Sequence, residues 1–209
     1  MSKLLNIPFY VGEGRRCAQA ALRSLLDFKG IQKDYNELDL LVGSNSENSI
    51  SMFQIADSLH NLGFRFYYPV RPFFESADFK EIVGIIKDKY GNRISSLFNF
   101  QLLRESFEKV RSNGLYAVKE KRPRLDELVE SLEQDKAVLF LVSYDKMIGR
   151  PTGEIMRNGH YMVLTGIDKN FVYAHDSGPQ GAMLNRPILK NKFLESWNFS
   201  FFDWDVIIV

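Results

Sequence analysis

Gly159-His160-Tyr161-Met162-Val163-Leu164-Thr165-Gly166-Ile167-Asp168-Lys169-Asn170-Phe171-Val172-Tyr173-Ala174-His175-Asp176 reads as a β-hairpin. Its arms run from Tyr161 to Ile167 and from Phe171 to His175, and Asp168-Lys169-Asn170 forms the turn. Upstream, Ala137-Val138-Leu139-Phe140-Leu141-Val142 is a continuous apolar run, the signature of a strand buried on both faces. Downstream, a helix around Lys190 to Trp197 and a last strand from Trp204 to Val209 complete the second half. The first half reads as helices. Helices first and antiparallel strands second predict an α+β fold.

The first helix is expected from about Cys17 to Phe28, where Ala20, Ala21, Leu25 and Phe28 recur at helical spacing before Gly30. A short helix follows from Asp34 to Val42, and a third is capped by Ser49 or Ser51 and ended by Gly63. Phe64-Arg65-Phe66-Tyr67-Tyr68 has the aromatic content of a strand. From Pro72 to Gly114 the pattern is helical, over Phe79 to Tyr90 and Phe100 to Val110, and one further helix spans Leu125 to Leu132. About 40 residues make a thin core alone, so residues 72–114 are expected to be a helical insertion in a single domain over 1–209.

Composition excludes several classes. Basic and acidic side chains number 27 and 26, which gives no electrostatic case for a nucleic-acid or membrane-surface partner. No apolar run approaches the roughly 18 residues of a membrane span, and Met1 to Pro8 has no h-region of signal-peptide length. A cytoplasmic protein is therefore expected. Three scattered histidines and one cysteine do not make a structural zinc site, and no cofactor motif is present. The lone cysteine cannot form an intramolecular disulfide.

That cysteine, Cys17, falls at the start of the first helix, in Arg15-Arg16-Cys17-Ala18-Gln19-Ala20-Ala21-Leu22. Unpaired N–H groups and the dipole at a helix start favour thiolate over thiol, and Arg15 and Arg16 add positive charge. The hairpin supplies the partners of a thiol nucleophile. Strand alternation puts His160, Met162 and Leu164 on one face, and Val172, Ala174 and Asp176 on one face of the facing arm. With the turn near Lys169, His160 and Asp176 share one end of the hairpin and one face, and a two-residue slip leaves them neighbours. His175 then faces away. His60 lies mid-helix and reads as structural. Each residue alone also has an ordinary reading: a small buried cysteine, a strand-end histidine, and a turn at Asp176-Ser177-Gly178-Pro179.

These residues resemble the bacteriocin-processing peptidases, which cleave after double-glycine leaders, and their free-standing relatives in the papain-like cysteine peptidase superfamily. The likeness runs through Cys17-Ala18-Gln19-Ala20-Ala21-Leu22, then Gly159-His160, Thr165-Gly166-Ile167-Asp168, Val172 to Asp176, and later Phe193 and Trp197. It implies a papain-like fold with Cys17 as nucleophile, His160 as general base and acid, and Asp176 as orienting carboxylate, acting on a peptide or protein substrate through a thioester. The family usually carries a glutamine about six residues before the cysteine, whose amide completes the oxyanion hole. Phe9 to Arg16 contains neither Gln nor Asn. The substitutes within reach are the Cys17 backbone with Gln19, or Arg16 or Tyr10.

Three readings follow. The first is a cysteine hydrolase, with acyl transfer to an amine or thiol using the same residues. The second is a pseudoenzyme that binds a peptide or protein in the same groove. The third is a protein in which the cysteine is incidental.

Overall fold

The computed structural model describes residues 4–44, 48–95, 97–150, 159–178, 181–197, 200 and 202–209. Helix α1 is Cys17–Phe28, buried along Ala18, Ala20, Ala21, Leu22, Leu25 and Leu26, and Gly30 leaves it with φ 81°. Asp34 caps α2 (Tyr35–Val42) in a reciprocal box with Glu37, and Ser51 does the same for α3 (Met52–Asn61) with Gln54. The Gln54 side chain also donates to the Val42 carbonyl at 2.9 Å, tying the two helices together.

The next elements are β1 (Pro69–Val70), α4 (Phe73–Ser76), α5 (Phe79–Ser95, interrupted at Gly91) and α6 (Phe100–Ser112). Then come β2 (Ala117–Val118), α7 (Leu125–Glu133), β3 (Val138–Ser143) and α8 (Tyr144–Met147). The chain ends with β4 (Gly159–Ile167), β5 (Phe171–Asp176), β6 (Met183–Leu189), α9 (Lys190–Ser196) and β7 (Val206–Ile208). A five-stranded antiparallel sheet runs in the order β6-β5-β4-β3-β7, with α1 against β4 and β3. The fold is α+β.

Two departures from the sequence pattern have physical causes. Phe64 to Tyr68 is not a strand. The Phe64 N–H closes the end of α3 on the Leu59 carbonyl, and Tyr67 makes only an isolated bridge to Ile208. The strand character moves to Pro69–Val70, parallel to Ala117–Val118, with the proline at its first position, where a missing N–H does least harm. The second departure is β6, whose Asn185 (φ 48°) and Pro187 break the alternation that reveals a strand. It stands at the sheet edge, where both are tolerated.

Residues 72–114 share the main core. Phe53 of α3 meets Phe74 and Phe107 with ring centroids 5.4 and 5.6 Å apart, and Phe74 and Phe107 cross edge to face at 5.2 Å. All three belong to the continuous buried cluster that includes β3 and β4.

Candidate active site

Cys17 begins α1, a helix with no side-chain cap at Arg16 and no acidic residue in its first turn. Its positive end is therefore not neutralised locally. The loop before it is pressed close. A Cβ on Gly12 would stand 2.6 Å from the Arg16 carbonyl oxygen, so only glycine fits there. The Gly12 N–H donates to the Ser177 carbonyl at 2.9 Å, which fastens the approach to Cys17 directly behind Asp176.

His160 lies on β4 opposite Val142, and 7% of its surface is exposed. Its Nε2 is 2.7 Å from Asp176 Oδ1. Asp176 is fully buried. Burial raises its pKa, but the His160 hydrogen bond and charge, the Gly178 N–H and Arg186 together hold it below the ordinary value. An ionised carboxylate only accepts, so Nε2 carries the proton and Nδ1 is left to face the sulfur. Cys17 and His160 are hydrogen-bonded through their side chains, and the Tyr161 and Ala18 backbone N–H groups also reach the thiol.

Burial pushes the Cys17 thiol up, but His160 and those two N–H groups outweigh it and bring it below the usual value. Burial likewise disfavours the charged imidazole, yet Asp176 and Cys17 raise His160 to about 9. Both shifts run toward a thiolate–imidazolium pair.

The hairpin register explains the alignment. Close to the turn, Ile167 faces Val172 and Gly166 faces Tyr173. Continued regularly, that ladder would put Asp176 opposite Val163 and His175 opposite Leu164, on the His160 face. A bulge at Thr165 shifts the ladder by one, so Asp176 faces Met162 and shares the side of His160. The freed Thr165 carbonyl accepts from Leu5 N–H at 2.8 Å. His175 is turned to the opposite face, where its Nε2 donates to the Ile7 carbonyl at 2.8 Å and its Nδ1 accepts from Asn185 N–H. Burial lowers its pKa, which keeps it neutral. His60 is exposed on α3.

The side chains expected to replace the upstream glutamine make hydrogen bonds to other groups. Gln19 Nε2 donates to Asp39 Oδ1 at 2.8 Å, and Arg16 Nη2 bonds Asp39 Oδ2 at 2.6 Å. Tyr10 donates its hydroxyl to Asp27 at 2.6 Å. One carboxylate on α2 thus collects both α1 side chains and neutralises Arg16.

Three contributors escaped the sequence reading. A Cβ on Gly178 would lie 2.9 Å from His160 Cε1 and 3.3 Å from Asp176 Oδ1, so glycine lets the backbone cover the imidazole–carboxylate contact. The Tyr144 ring stands edge-on to His160 at 5.1 Å. Arg186 Nε approaches Asp176 Oδ2 to 2.7 Å. Only the Gly178 turn left a signal in the sequence, as a glycine two positions after Asp176. Among the described residues no cluster of three His, Cys, Asp or Glu can hold a metal ion, and no helix is long and apolar enough to cross a membrane.

No curated protein matches the chain. A solved structure it resembles is the crystal structure of a Bacillus anthracis protein assigned as a C39-like peptidase, 17% identical. The alignment covers 100% of this chain and 97% of that one, with a TM-score of 0.49. The Peptidase_C39 like family matches residues 4–200, a span that holds the cysteine, the histidine and the aspartate described above, and the chain belongs to that family.

Proposed function

We propose that the protein is a cysteine peptidase that cleaves a peptide or related amide through a thioester. The Cys17 thiolate attacks the carbonyl carbon, and the backbone N–H of Cys17 at the uncapped start of α1 stabilises the oxyanion. His160 then gives its proton to the leaving amine, deprotonates a water, and the water releases the acyl group from sulfur. Asp176 holds the imidazole in the required tautomer and favours its charged form. The observation that carries this reading is the continuous chain from the Cys17 thiol through His160 to Asp176 Oδ1. Residues 1–209 are taken as one papain-like domain with an insertion at about 72–114, and a lone reactive thiol suits the cytoplasm.

The test is the rate of Cys17 alkylation by iodoacetamide against pH, in wild type and in His160→Ala. The wild type should react well at pH 6 and the variant should not. An ordinary thiol curve with a midpoint near about 8.5 in both proteins rejects the peptidase reading.

A second reading is a catalytically weak or inactive relative that binds a peptide or protein partner. It is favoured by the engagement of Gln19, Arg16 and Tyr10 away from the thiol and by Val11 standing six residues before Cys17. Loss of one oxyanion donor has cost on the order of 10²–10³ in turnover elsewhere. With p-nitrophenyl acetate, a burst without turnover supports this reading, and sustained release supports the peptidase.

A further inference from the structure

Asp176 divides its two oxygens. Oδ1 accepts from His160 Nε2 at 2.7 Å and from the Gly178 N–H at 3.1 Å. Oδ2 faces Arg186 Nε at 2.7 Å, and neither of these two atoms has a hydrogen-bond partner. The contact is therefore one of charge rather than an aligned hydrogen bond. Arg186 reaches it from β6, where it stands opposite Ala174 and on the Asp176 face, beside a register shift between Ala174 and Asp176. Its Nη2 donates to the Gly181 carbonyl at 2.6 Å, which fixes the far side of the guanidinium.

The strand that carries it is an edge strand with mostly exposed side chains. A lone arginine there is under no packing demand to turn inward, yet its side chain is 22% exposed while Asp176 is fully buried.

We propose that Arg186 is a positioning residue that balances the charge of the catalytic group and so sets how tightly His160 and Cys17 hold their protons through Asp176. This rests on the cysteine-peptidase reading. Thiolate, imidazolium and carboxylate sum to one negative charge in a mostly buried site. The guanidinium brings that sum to zero.

Among the described residues, the charged or titratable groups in contact with the relay come from different elements: Cys17 from α1, Tyr144 from α8, His160 from β4 and Arg186 from β6. His175, next to Asp176, is on the other side of the sheet and bonded there. Removing the guanidinium leaves an excess negative charge, which opposes the thiolate and binds the imidazolium proton more firmly. Both titrations then move to higher pH. A merely structural arginine would alter stability and leave both midpoints in place.

The experiment follows two midpoints without a peptide substrate: the iodoacetamide rate at Cys17, and the His160 ring by ¹⁵N-edited NMR. R186M is expected to raise both by about half a pH unit or more, below the 1–3 units of a charge in direct contact. R186K keeps the charge and should return both most of the way to wild type. In a D176N background the R186M shift should shrink by more than half. Wild-type midpoints in folded R186M, or an undiminished shift in D176N, overturn the proposal. If R186M does not fold, R186Q is read in its place: midpoints raised by about half a unit support the proposal, and wild-type midpoints overturn it. A wild-type thiol with an ordinary titration, insensitive to His160→Ala, instead rejects the peptidase reading, whatever Arg186 does.

Discussion

The sulfur, the ring and the carboxylate each owe their protonation to the next. His160 holds its proton up to about pH 9 because Asp176 and Cys17 outweigh the cost of burying the charged ring. Below that pH the imidazolium supports the thiolate, and above it the support disappears. The alkylation advantage of wild type over His160→Ala is thus expected to be large at pH 6 and to vanish above about pH 9.5, where an ordinary thiol is ionised too. An advantage that persists at pH 10 would mean that His160 contributes something other than its charge. Gly178 guards the same contact. Gly178→Ala would put a methyl 2.9 Å from His160 Cε1, closer than the ring tolerates, and in tight contact with Asp176 Oδ1 at 3.3 Å. The ring must shift, and the low-pH thiol reactivity should fall between about ten- and a hundredfold, as small misplacements of reacting groups do. Wild-type rates from folded Gly178→Ala would show that the ring position is not limiting.

The start of α1 and the bulged hairpin are joined by the loop that carries Gly12, whose N–H holds the Ser177 carbonyl while its bare Cα lies against Arg16. Gly12→Ala forces a Cβ to within 2.6 Å of a backbone oxygen that cannot rotate away. Helix start and hairpin then have to part. We expect a reduced iodoacetamide rate at pH 6 with α1 still formed by circular dichroism; an unchanged rate would show that the seam absorbs the methyl. Much of this arrangement was legible from periodicity. The helix beginning at Cys17 and the hairpin follow from spacing alone, whereas the shared face of His160 and Asp176 also needs the one-residue register shift at Thr165. What spacing could not reveal was the Thr165 bulge, because an extra residue leaves no mark on the apolar pattern beyond the Thr-Gly that accompanies it. Strand β6 was hidden for a similar reason. An edge strand with Pro187 and a left-handed Asn185 has no alternation to read, and Arg186 went unnoticed with it. The contacts of the candidate oxyanion donors were hidden for another reason, since sequence proximity to Cys17 says nothing about Asp39, which α2 brings across to bond both Gln19 and Arg16.

Helices α4 to α6 are joined to the rest of the fold through α3 and the aromatic cluster of Phe53, Phe74 and Phe107, with Phe202 of the C-terminal part 6.1 Å from Phe53. If residues 72–114 are an insertion within a single domain, their unfolding is coupled to that of the sheet through these rings. Phe107 is 2% exposed, and Phe107→Ala should cost about 3–5 kcal/mol through lost burial and the cavity left behind. That is a large share of the roughly 5–15 kcal/mol that holds an ordinary domain together. Because the rings it touches are those of Phe53, Phe74 and Phe79 rather than any group bonded to Cys17 or His160, the variant that remains folded should keep the wild-type alkylation profile. Urea unfolding followed by tryptophan fluorescence and by far-ultraviolet circular dichroism tests the coupling. Trp197 and Trp204 lie in the C-terminal part, whereas circular dichroism is dominated by helices, α5 and α6 among them. Coincident transitions, displaced together to lower urea in Phe107→Ala, are the expected result. Separate transitions, with only the helical signal displaced, would make the segment an independent folding unit set beside the sheet.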